Sequence, residues 1–187
     1  MSGKSDLLLH ICCAPCGGGC IGRSEMIDPG RRVTLFFSNS NLDSEEEFSR
    51  RLQPVRRLAE YFGLPLIVDG YDHGAWRAAV AGLEDAPEGG ERCRRCFAFN
   101  LGRTAEAAKG GRFSTTLTVS PRKSSAGIFA AGAKWENFEA IDFKKKNGYL
   151  IGVRFAEKMG FYRQNYCGCE FSRRAGTINR GETNDQH

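Results

Sequence analysis

The chain has 187 residues, of which 41% are hydrophobic and 26% are charged, and its net charge is +5. This composition excludes a disordered chain and predicts one globular domain with a buried core, and no apolar run is long enough to span a bilayer. The three leucines after the polar start are too few for the core of a signal peptide, so we expect a cytoplasmic protein without a membrane partner. Eight cysteines are many for a reducing compartment, where grouped thiols indicate metal or redox chemistry.

In the first third of the chain, short apolar runs alternate with one long helical pattern. The runs predict three strands, over residues 7–11, 33–37 and 64–68. Between the second and third strands, Ser44 and Glu47 form a capping box at the start of a helix that ends near Phe62. Pro54 lies inside this helical pattern and is expected to kink or divide the helix.

The rest of the chain continues the alternation of helices and strands. Helical patterns cover residues 73–82, 93–109, 125–135 and 148–159, and two further strands are predicted over residues 113–119 and 139–143. This alternation predicts an α/β fold over residues 1–176, a single domain in which helices cover both faces of a parallel sheet. Residues 177–187 are polar, and we expect a disordered tail there.

The ends of two predicted strands locate the functional site. Cys12, Cys13 and Cys16 directly follow the first strand, in a turn rich in proline and glycine. Ser120 follows the fourth strand. Because parallel sheets bind ligands at the carboxyl ends of their strands, we expect the site at these turns.

The cysteines form three groups that are far apart in the sequence: Cys12, Cys13, Cys16 and Cys20; Cys93 and Cys96; Cys167 and Cys169. A C-x-x-C pair at a helix start directs two thiolates at one metal, and the free amides of that terminus favour their negative charge. In an extended Cys-Gly-Cys segment the two side chains point the same way. Adjacent Cys12 and Cys13 face opposite ways if the chain is extended, so we expect them to serve two neighbouring metals.

The number of thiols exceeds what a single metal needs. One structural zinc takes four ligands, and a four-iron cluster takes four cysteines. If Cys20 is set aside as the most dispensable thiol, seven remain. Seven are enough for one iron–sulfur cluster and a second metal that has three protein ligands and an open coordination position. One zinc with spare buried thiols, and a dithiol redox protein, remain as alternatives.

Four segments carry a specific pattern: LHICCAPC at residues 9–16, ERCRRCF with the helix that follows it at 91–105, FSTTL with SPRK at 113–123, and YRQNYCGCEFS at 162–172. Together they resemble the epoxyqueuosine reductases of the QueH type. The last segment is the most specific, whereas C-x-x-C occurs in many proteins. A looser fifth segment retains Asn39, Asn41, Glu47 and Arg51 but lacks two prolines and a tyrosine of the family's pattern.

The resemblance implies a nucleotide-hydrolase-like (HUP-like) three-layer domain. It implies an oxidoreductase that reduces the epoxide of epoxyqueuosine at the tRNA wobble position to queuosine, the final step of queuosine biosynthesis. It also implies a [4Fe-4S] cluster beside a second mononuclear iron, and no cobalamin. Because the sequence has no nicotinamide or flavin fingerprint of the G-x-G-x-x-G type, we expect an external one-electron donor.

The expected orientation of the first two cysteines divides the thiols between the two metal sites. We place Cys12, Cys16 and Cys167 at the second iron. The cluster then takes the remaining thiols, which are Cys13, Cys93, Cys96 and Cys169. This division rests on Cys12 and Cys13 facing apart.

A proton donor and substrate-binding residues complete the predicted site. His10 lies two residues before Cys12 and has a suitable pKa, and Tyr162 is a second candidate. A histidine that is hydrogen-bonded at a strand end is the structural alternative. Within the resembling segments we assign substrate contacts to Asn39, Asn41, Glu47, Arg51, Arg163, Gln164 and Tyr166.

A tRNA partner predicts basic side chains near the cysteines. Arg92, Arg94 and Arg95 flank the C-x-x-C pair, and residues 144–146 are three lysines, although each such group is also typical of a solvated face. Two other functions remain open. One is a zinc-stabilised RNA-binding module. The other is a sulfur-transfer or adenylating tRNA enzyme, which would need a pyrophosphate loop where this chain has its first cysteines.

Overall fold

Four parallel strands form one sheet at the centre of the computed structural model, which describes residues 6–173. In sheet order they are β3 (Leu66–Val68), β2 (Val33–Phe37), β1 (Leu7–His10) and β4 (Arg112–Thr115). All three pairings between neighbours are parallel. The predicted parallel α/β sheet is therefore confirmed. The expected domain boundary after residue 176 and the tail at 177–187 lie outside the described residues.

The helices that flank the sheet are α1 (Ala14–Gly18), α2 (Glu45–Phe62), α3 (His73–Ala79), α4 (Glu91–Ala108), α5 (Ser125–Gly132) and α6 (Gly148–Met159). Helix α2 begins as predicted, because the Ser44 hydroxyl accepts a hydrogen bond from the Glu47 amide at 3.1 Å. It runs undivided through Pro54 and ends at Gly63, whose φ of 61° is left-handed. No helix in the described part of the chain is long and apolar enough to cross a membrane.

Strand β4 is shorter than predicted. It ends at Thr115, and Thr116–Val119 form a 3-10 turn instead of continuing the strand to residue 119. The turn begins because the Thr115 hydroxyl accepts a hydrogen bond from the Leu117 amide at 3.1 Å. The chain therefore leaves the sheet beside the end of β1, where the first cysteines lie.

The predicted fifth strand at residues 139–143 is wrong. In residues 6–173 this part of the chain makes a single parallel bridge to β4, between Phe138 and Phe113. Beyond the bridge, the Ser114 hydroxyl donates to the Glu139 carbonyl at 2.8 Å. The Ile141 amide donates to the same Glu139 carbonyl at 2.9 Å. Hydrogen bonds of side chains and a tight turn thus replace a backbone ladder.

The sheet separates two hydrophobic layers. On one face, Leu9 and Leu35 pack with Leu58 of α2, and on the other face Leu8 packs with Leu101 of α4. Successive side chains of a strand point to opposite faces, so neighbours in β1 belong to different layers. Helices therefore cover both faces of the sheet, as the alternation of elements predicted.

The strand order creates a crevice at the carboxyl ends of β1 and β4. The chain passes from β1 to β2 on one side and later returns to place β4 on the other side of β1. The turns that follow β1 and β4 meet at this edge, where the Cys12 amide donates to the Thr116 hydroxyl at 3.3 Å. Open parallel sheets bind their ligands at such a change of direction.

Glycines allow α1 to lie close to α6. A Cβ on Gly152 of α6 would lie within 3.0 Å of the Pro15 carbonyl, a distance that real Cβ atoms essentially never show. A Cβ on Gly19 would meet the Gly148 carbonyl in the same way. This close contact holds α1, the short helix that carries Cys16.

Candidate metal centre

Seven of the eight cysteines line one cavity of about 190 Å³ in the crevice between β1 and β4. We call this cavity the thiol pocket, and its cysteines are Cys12, Cys13, Cys16, Cys93, Cys96, Cys167 and Cys169. Folding therefore brings together the three groups that are separate in the sequence. All eight cysteines are free thiols. The eighth, Cys20, is fully buried in the hydrophobic core and does not line the pocket.

The turn after β1 presents three thiols as a compact set. The sulfur atoms of Cys12, Cys13 and Cys16, which we call the triad, all lie within 4.8 Å of one another. The Cys12 and Cys13 sulfurs are 3.9 Å apart, so the expectation that these side chains face opposite ways is wrong. Alternation holds inside a regular strand, but here the chain leaves β1 and enters α1 at Cys13. Sulfurs that share a tetrahedral metal at 2.3 Å are roughly 3.8 Å apart, which the triad approaches.

The thiols of the triad share hydrogen bonds and therefore ionise as a group. Hydrogen bonds from Cys12 and Cys16 lower the pKa of Cys13 well below its usual value. The hydrogen bond with Cys13 raises the pKa of Cys12 to about 12, and the hydrogen bonds with Cys12 and Cys13 raise the pKa of Cys16 well above its usual value. The first negative charge of the triad thus lies on Cys13. A metal cation could displace the remaining protons, because thiolates are the ligating form.

The other four cysteines form a second set, the four-thiol group: Cys93, Cys96, Cys167 and Cys169. Cys93 and Cys96 lie in the first two turns of α4, and Gly168 separates the other two with a φ of 128°, a conformation that favours glycine. Burial raises the pKa of Cys93, Cys96 and Cys169, and the charge of the neighbouring Cys167 raises each of them further. The four thiols therefore lie near one another in the pocket, whereas among the described residues the triad is the group whose sulfur atoms all lie within 4.8 Å of one another.

Several N–H groups are directed at the four-thiol group. The Gly89 amide donates to the Cys93 sulfur at 3.2 Å, and the Asn100 side-chain amide donates to the Cys96 sulfur at 3.5 Å. Trp76 also lines the pocket; its indole N–H is buried without a hydrogen-bond partner of normal geometry within residues 6–173, and it opposes the rise in the pKa of Cys96. N–H donors of this kind stabilise the negative charge of ligating sulfurs and of iron–sulfur clusters. The donor set therefore fits an iron–sulfur cluster.

A buried ion pair supports the part of the pocket wall next to Cys167. Arg51 and Glu47 have side chains only 3% and 5% exposed, and Nε of Arg51 lies 2.6 Å from Oε1 of Glu47. Nη1 of Arg51 donates to the Cys167 carbonyl at 3.0 Å. Arg51 lines the pocket, and its Nη2 is buried without a partner among the described residues. Arg51 thus reaches the pocket, as predicted for a substrate contact, whereas Glu47 lies behind it and holds it in place.

Most of the other predicted substrate contacts also lie in the pocket wall, namely Asn39, Asn41, Arg163, Gln164 and Tyr166. The Asn41 side-chain carbonyl accepts a hydrogen bond from Asn100 at 3.3 Å. Oε1 of Gln164 is buried and has no partner in the described part of the chain. This wall therefore offers several polar groups to a ligand that enters beside the thiols.

Comparison with known proteins decides the family. The family model described as Epoxyqueuosine reductase QueH matches residues 7–175 of this chain. The chain belongs to this family of epoxyqueuosine reductases. The resemblance in the four sequence segments is thereby confirmed.

Curated members of the QueH family resemble the chain over most of its length. The protein named Epoxyqueuosine reductase QueH from Thermotoga maritima is 38% identical over 177 residues, which cover 89% of this chain and 89% of that relative. The protein of the same name from Streptococcus pyogenes is 33% identical over 90% of this chain and 71% of the relative. The one from Haemophilus influenzae is 33% identical over 98% of this chain and 78% of the relative.

The two predicted proton donors of this family member lie outside the thiol pocket. His10 is fully buried, and its ring nitrogens contact the Thr115 hydroxyl at 2.8 Å and the Ser38 carbonyl at 2.9 Å. Burial lowers the pKa of His10 to about 4, so the ring is neutral. The Tyr162 hydroxyl lies 3.4 Å from both carboxylate oxygens of Glu47. The geometry of His10 matches a structural histidine, and Tyr162 reaches the pocket only through the Glu47 ion pair.

Lys123 is a pocket residue that the sequence did not single out. It follows the 3-10 turn after β4, is half-buried and lines the thiol pocket. Burial alone would lower the pKa of this lysine, but the charges of Cys167 and of the triad outweigh burial and raise it. Lys123 thus provides positive charge among the thiols. Its position after the carboxyl end of a strand could have indicated that Lys123 lies at the site. That inference also required knowing that this strand, β4, lies next to β1.

The arginines around the C-x-x-C pair have other partners. Arg92 is buried and donates to the carbonyls of Leu83, Glu84 and Ala86, which fixes the loop before α4. Arg94 and Arg95 are exposed and pair with Glu91. Of these three arginines only Arg92 lines the pocket, so this basic group is largely structural.

Proposed function

We propose that this chain reduces the epoxide of epoxyqueuosine in tRNA to queuosine; its relatives are named epoxyqueuosine reductases. The observation that carries the proposal is the convergence of seven thiols on one pocket at the change of direction of the sheet. Polar side chains line the same pocket beside these thiols. The arrangement suits chemistry that needs metals and one polar substrate together.

We assign the four-thiol group to a [4Fe-4S] cluster and the triad to a second, mononuclear iron. Four cysteines are the ligands such a cluster takes, and three cysteines leave a fourth position open. This assignment moves Cys13 to the single iron and Cys167 to the cluster, in contrast to the division predicted from sequence. The short distances within the triad support the change.

Removing an epoxide oxygen as water, to leave a double bond, takes two electrons and two protons. When bound, the cluster supplies single-electron transfer from an external one-electron donor, and the adjacent iron supplies a Lewis acid for the epoxide oxygen. No cobalamin is needed for such a reaction. The protein's task is then to bind the nucleoside, orient it and balance the charge of the sulfurs.

The side chains of the pocket divide this task between them. Lys123 balances thiolate charge and holds a proton on Nζ at the edge of the triad. Nη2 of Arg51 and Oε1 of Gln164 offer a donor and an acceptor that lack partners in residues 6–173, so they suit hydroxyl and base-edge groups of a nucleoside. Asn39 and Asn41 extend the same wall.

The test is anaerobic reconstitution with iron and sulfide, followed by chemical reduction and incubation with tRNA that carries epoxyqueuosine. Mass spectrometry of the nucleosides then measures the loss of one oxygen. Cys20→Ala is the matched control, because Cys20 is buried away from the pocket, and it should behave like the wild type. Cys16→Ala should abolish the reaction and lose about one iron without losing sulfide.

Three outcomes contradict separate parts of the proposal. Fully loaded, reduced wild-type protein that leaves the oxygen in place would refute the reaction. Loss of sulfide together with iron in Cys16→Ala would refute the division of thiols between the two sites. A colourless protein that takes up zinc alone would favour the zinc-stabilised RNA-binding module.

A further inference from the structure

A basic turn with an unusual backbone lies beside the thiol pocket. Residues 144–147, which we call the lysine turn, contain two consecutive residues other than glycine with positive φ: Lys146 at 52° and Asn147 at 64°. This backbone conformation is sterically unfavourable for residues other than glycine and persists only where its surroundings enforce it. Lys145 and Lys146 are exposed, and neither forms an ion pair among the described residues.

A buried arginine enforces this conformation. Arg23 is 5% exposed, and Nη2 donates to the carbonyls of Lys145 at 2.8 Å and Lys146 at 3.2 Å. Its Nη1 donates to the carbonyls of Gly19 and Phe143, both at 3.0 Å. One guanidinium thus ties the turn to the end of α1. A basic loop that were merely solvated would not need a buried cation to fix its backbone.

The lysine turn adjoins the mouth of the thiol pocket. Lys144 donates from Nζ to the carbonyl of Lys123, a pocket residue, at 2.8 Å. Tyr149 is the second residue of α6, shortly after the turn; it lines the pocket and is nevertheless 47% exposed. Arg122 and Arg163 also line the pocket and are exposed. The mouth therefore has an aromatic ring and a rim of positive charge.

We propose that the lysine turn and Tyr149 bind the RNA that delivers the substrate nucleoside: Lys145 and Lys146 contact backbone phosphates, and Tyr149 stacks on a base next to the reacting one. The proposal rests on the proposed function, because a nucleoside must leave its stack to enter a pocket of this size. Its neighbouring phosphates then pass over the pocket mouth. Exposed aromatic rings beside basic groups are the usual platform for unstacked bases.

The test measures binding of the metal-loaded protein to tRNA carrying epoxyqueuosine, by fluorescence anisotropy over a range of salt concentrations. Reductant is omitted, so that the result does not depend on turnover. The double variant Lys145→Ala, Lys146→Ala should lower the slope of log K against log salt by about 1–2, the value for one or two lost phosphate contacts. Tyr149→Ala should weaken binding roughly tenfold or more and leave the salt slope unchanged.

Arg56→Ala is the matched control for charge. Arg56 lies beside Gly63, Leu64 and Pro65, which lead into the amino end of β3, so it is at the end of the sheet opposite the pocket. This control should retain the wild-type slope and affinity. If the double lysine variant retains the wild-type slope as well, the proposal is overturned, and the same holds if Tyr149→Ala binds with wild-type affinity.

Wild-type turnover, measured in parallel with reductant present, keeps the two proposals separate. Turnover together with unchanged binding by the variants would reject the RNA contacts alone. Binding that depends on the lysine turn, without any loss of oxygen from the nucleoside, would reject the proposed function alone.

Discussion

The contact between α1 and α6 allows a quantitative test of how the fold positions the triad. Gly152 of α6 faces the backbone of α1, and a Cβ there would lie within 3.0 Å of the Pro15 carbonyl and 3.2 Å from the Gly19 amide nitrogen. Neither backbone group can rotate away as a flexible side chain would. Gly152→Ala therefore forces the two helices apart and displaces Cys16, which belongs to α1.

Two opposing effects determine how much Gly152→Ala changes the free energy of unfolding. Alanine in a helix is favoured over glycine by about 1 kcal/mol, whereas overpacking of a tight contact costs about 1–3 kcal/mol. Because the clash is with backbone, we expect the upper end of the cost and a net loss of about 2 kcal/mol in the free energy of unfolding. Gly102→Ala is the control: Gly102 lies inside α4, and the nearest atom to its Cβ would be 3.8 Å away on Trp135. That variant should be about 0.5–1 kcal/mol more stable than the wild type.

Guanidinium chloride unfolding of the reduced, metal-free proteins measures both free energies under anaerobic conditions. Iron content after reconstitution measures the effect on the triad, which should lose metal in Gly152→Ala and not in Gly102→Ala. If Gly152→Ala were as stable as Gly102→Ala and held its full iron, the close contact with α1 would not position the triad.

Two further predictions concern the pocket wall and the four-thiol group. Glu47→Ala leaves the guanidinium of Arg51 buried without its carboxylate, so chemical denaturation should show a loss of about 3–5 kcal/mol, whereas exposed Glu46→Ala should show little change. Equal stabilities would mean that the ion pair does not support the wall. Trp76→Phe removes an N–H group directed at the four-thiol group, so a reconstituted cluster should have a more negative reduction potential in an electrochemical titration. Trp135→Phe, outside the pocket, should leave the potential unchanged, and a potential unchanged in both variants would contradict the role of Trp76.

Local patterns in the sequence were sufficient for much of the fold. Apolar runs predicted β1 and β2, and the Ser44 capping box placed the start of α2, because strand burial and helix capping depend on residues close together in the chain. The fifth strand was wrong for the opposite reason. Its residues suit a strand, but the Ser114 hydroxyl competes for the Glu139 carbonyl, and only the folded chain brings these groups together.

At the candidate site, too, the sequence predicted some features, and the folded structure decided others. Residue type alone singled out the seven thiols that line the pocket and set Cys20 aside, since grouped thiols in a reducing compartment have few other uses. The sequence could not divide them between two sites, because that depends on the side-chain directions of Cys12 and Cys13 where β1 passes into α1.

The position of Lys123 was likewise decided by tertiary structure alone. It comes more than a hundred residues after the triad, and it enters the pocket because β4 pairs with β1 and both strands end at the same edge. Sequence determines which chemical groups are available and which local elements they form. Which of these groups share one low-dielectric cavity is determined by strand order, because the charges that set their pKa values act through space and not along the chain.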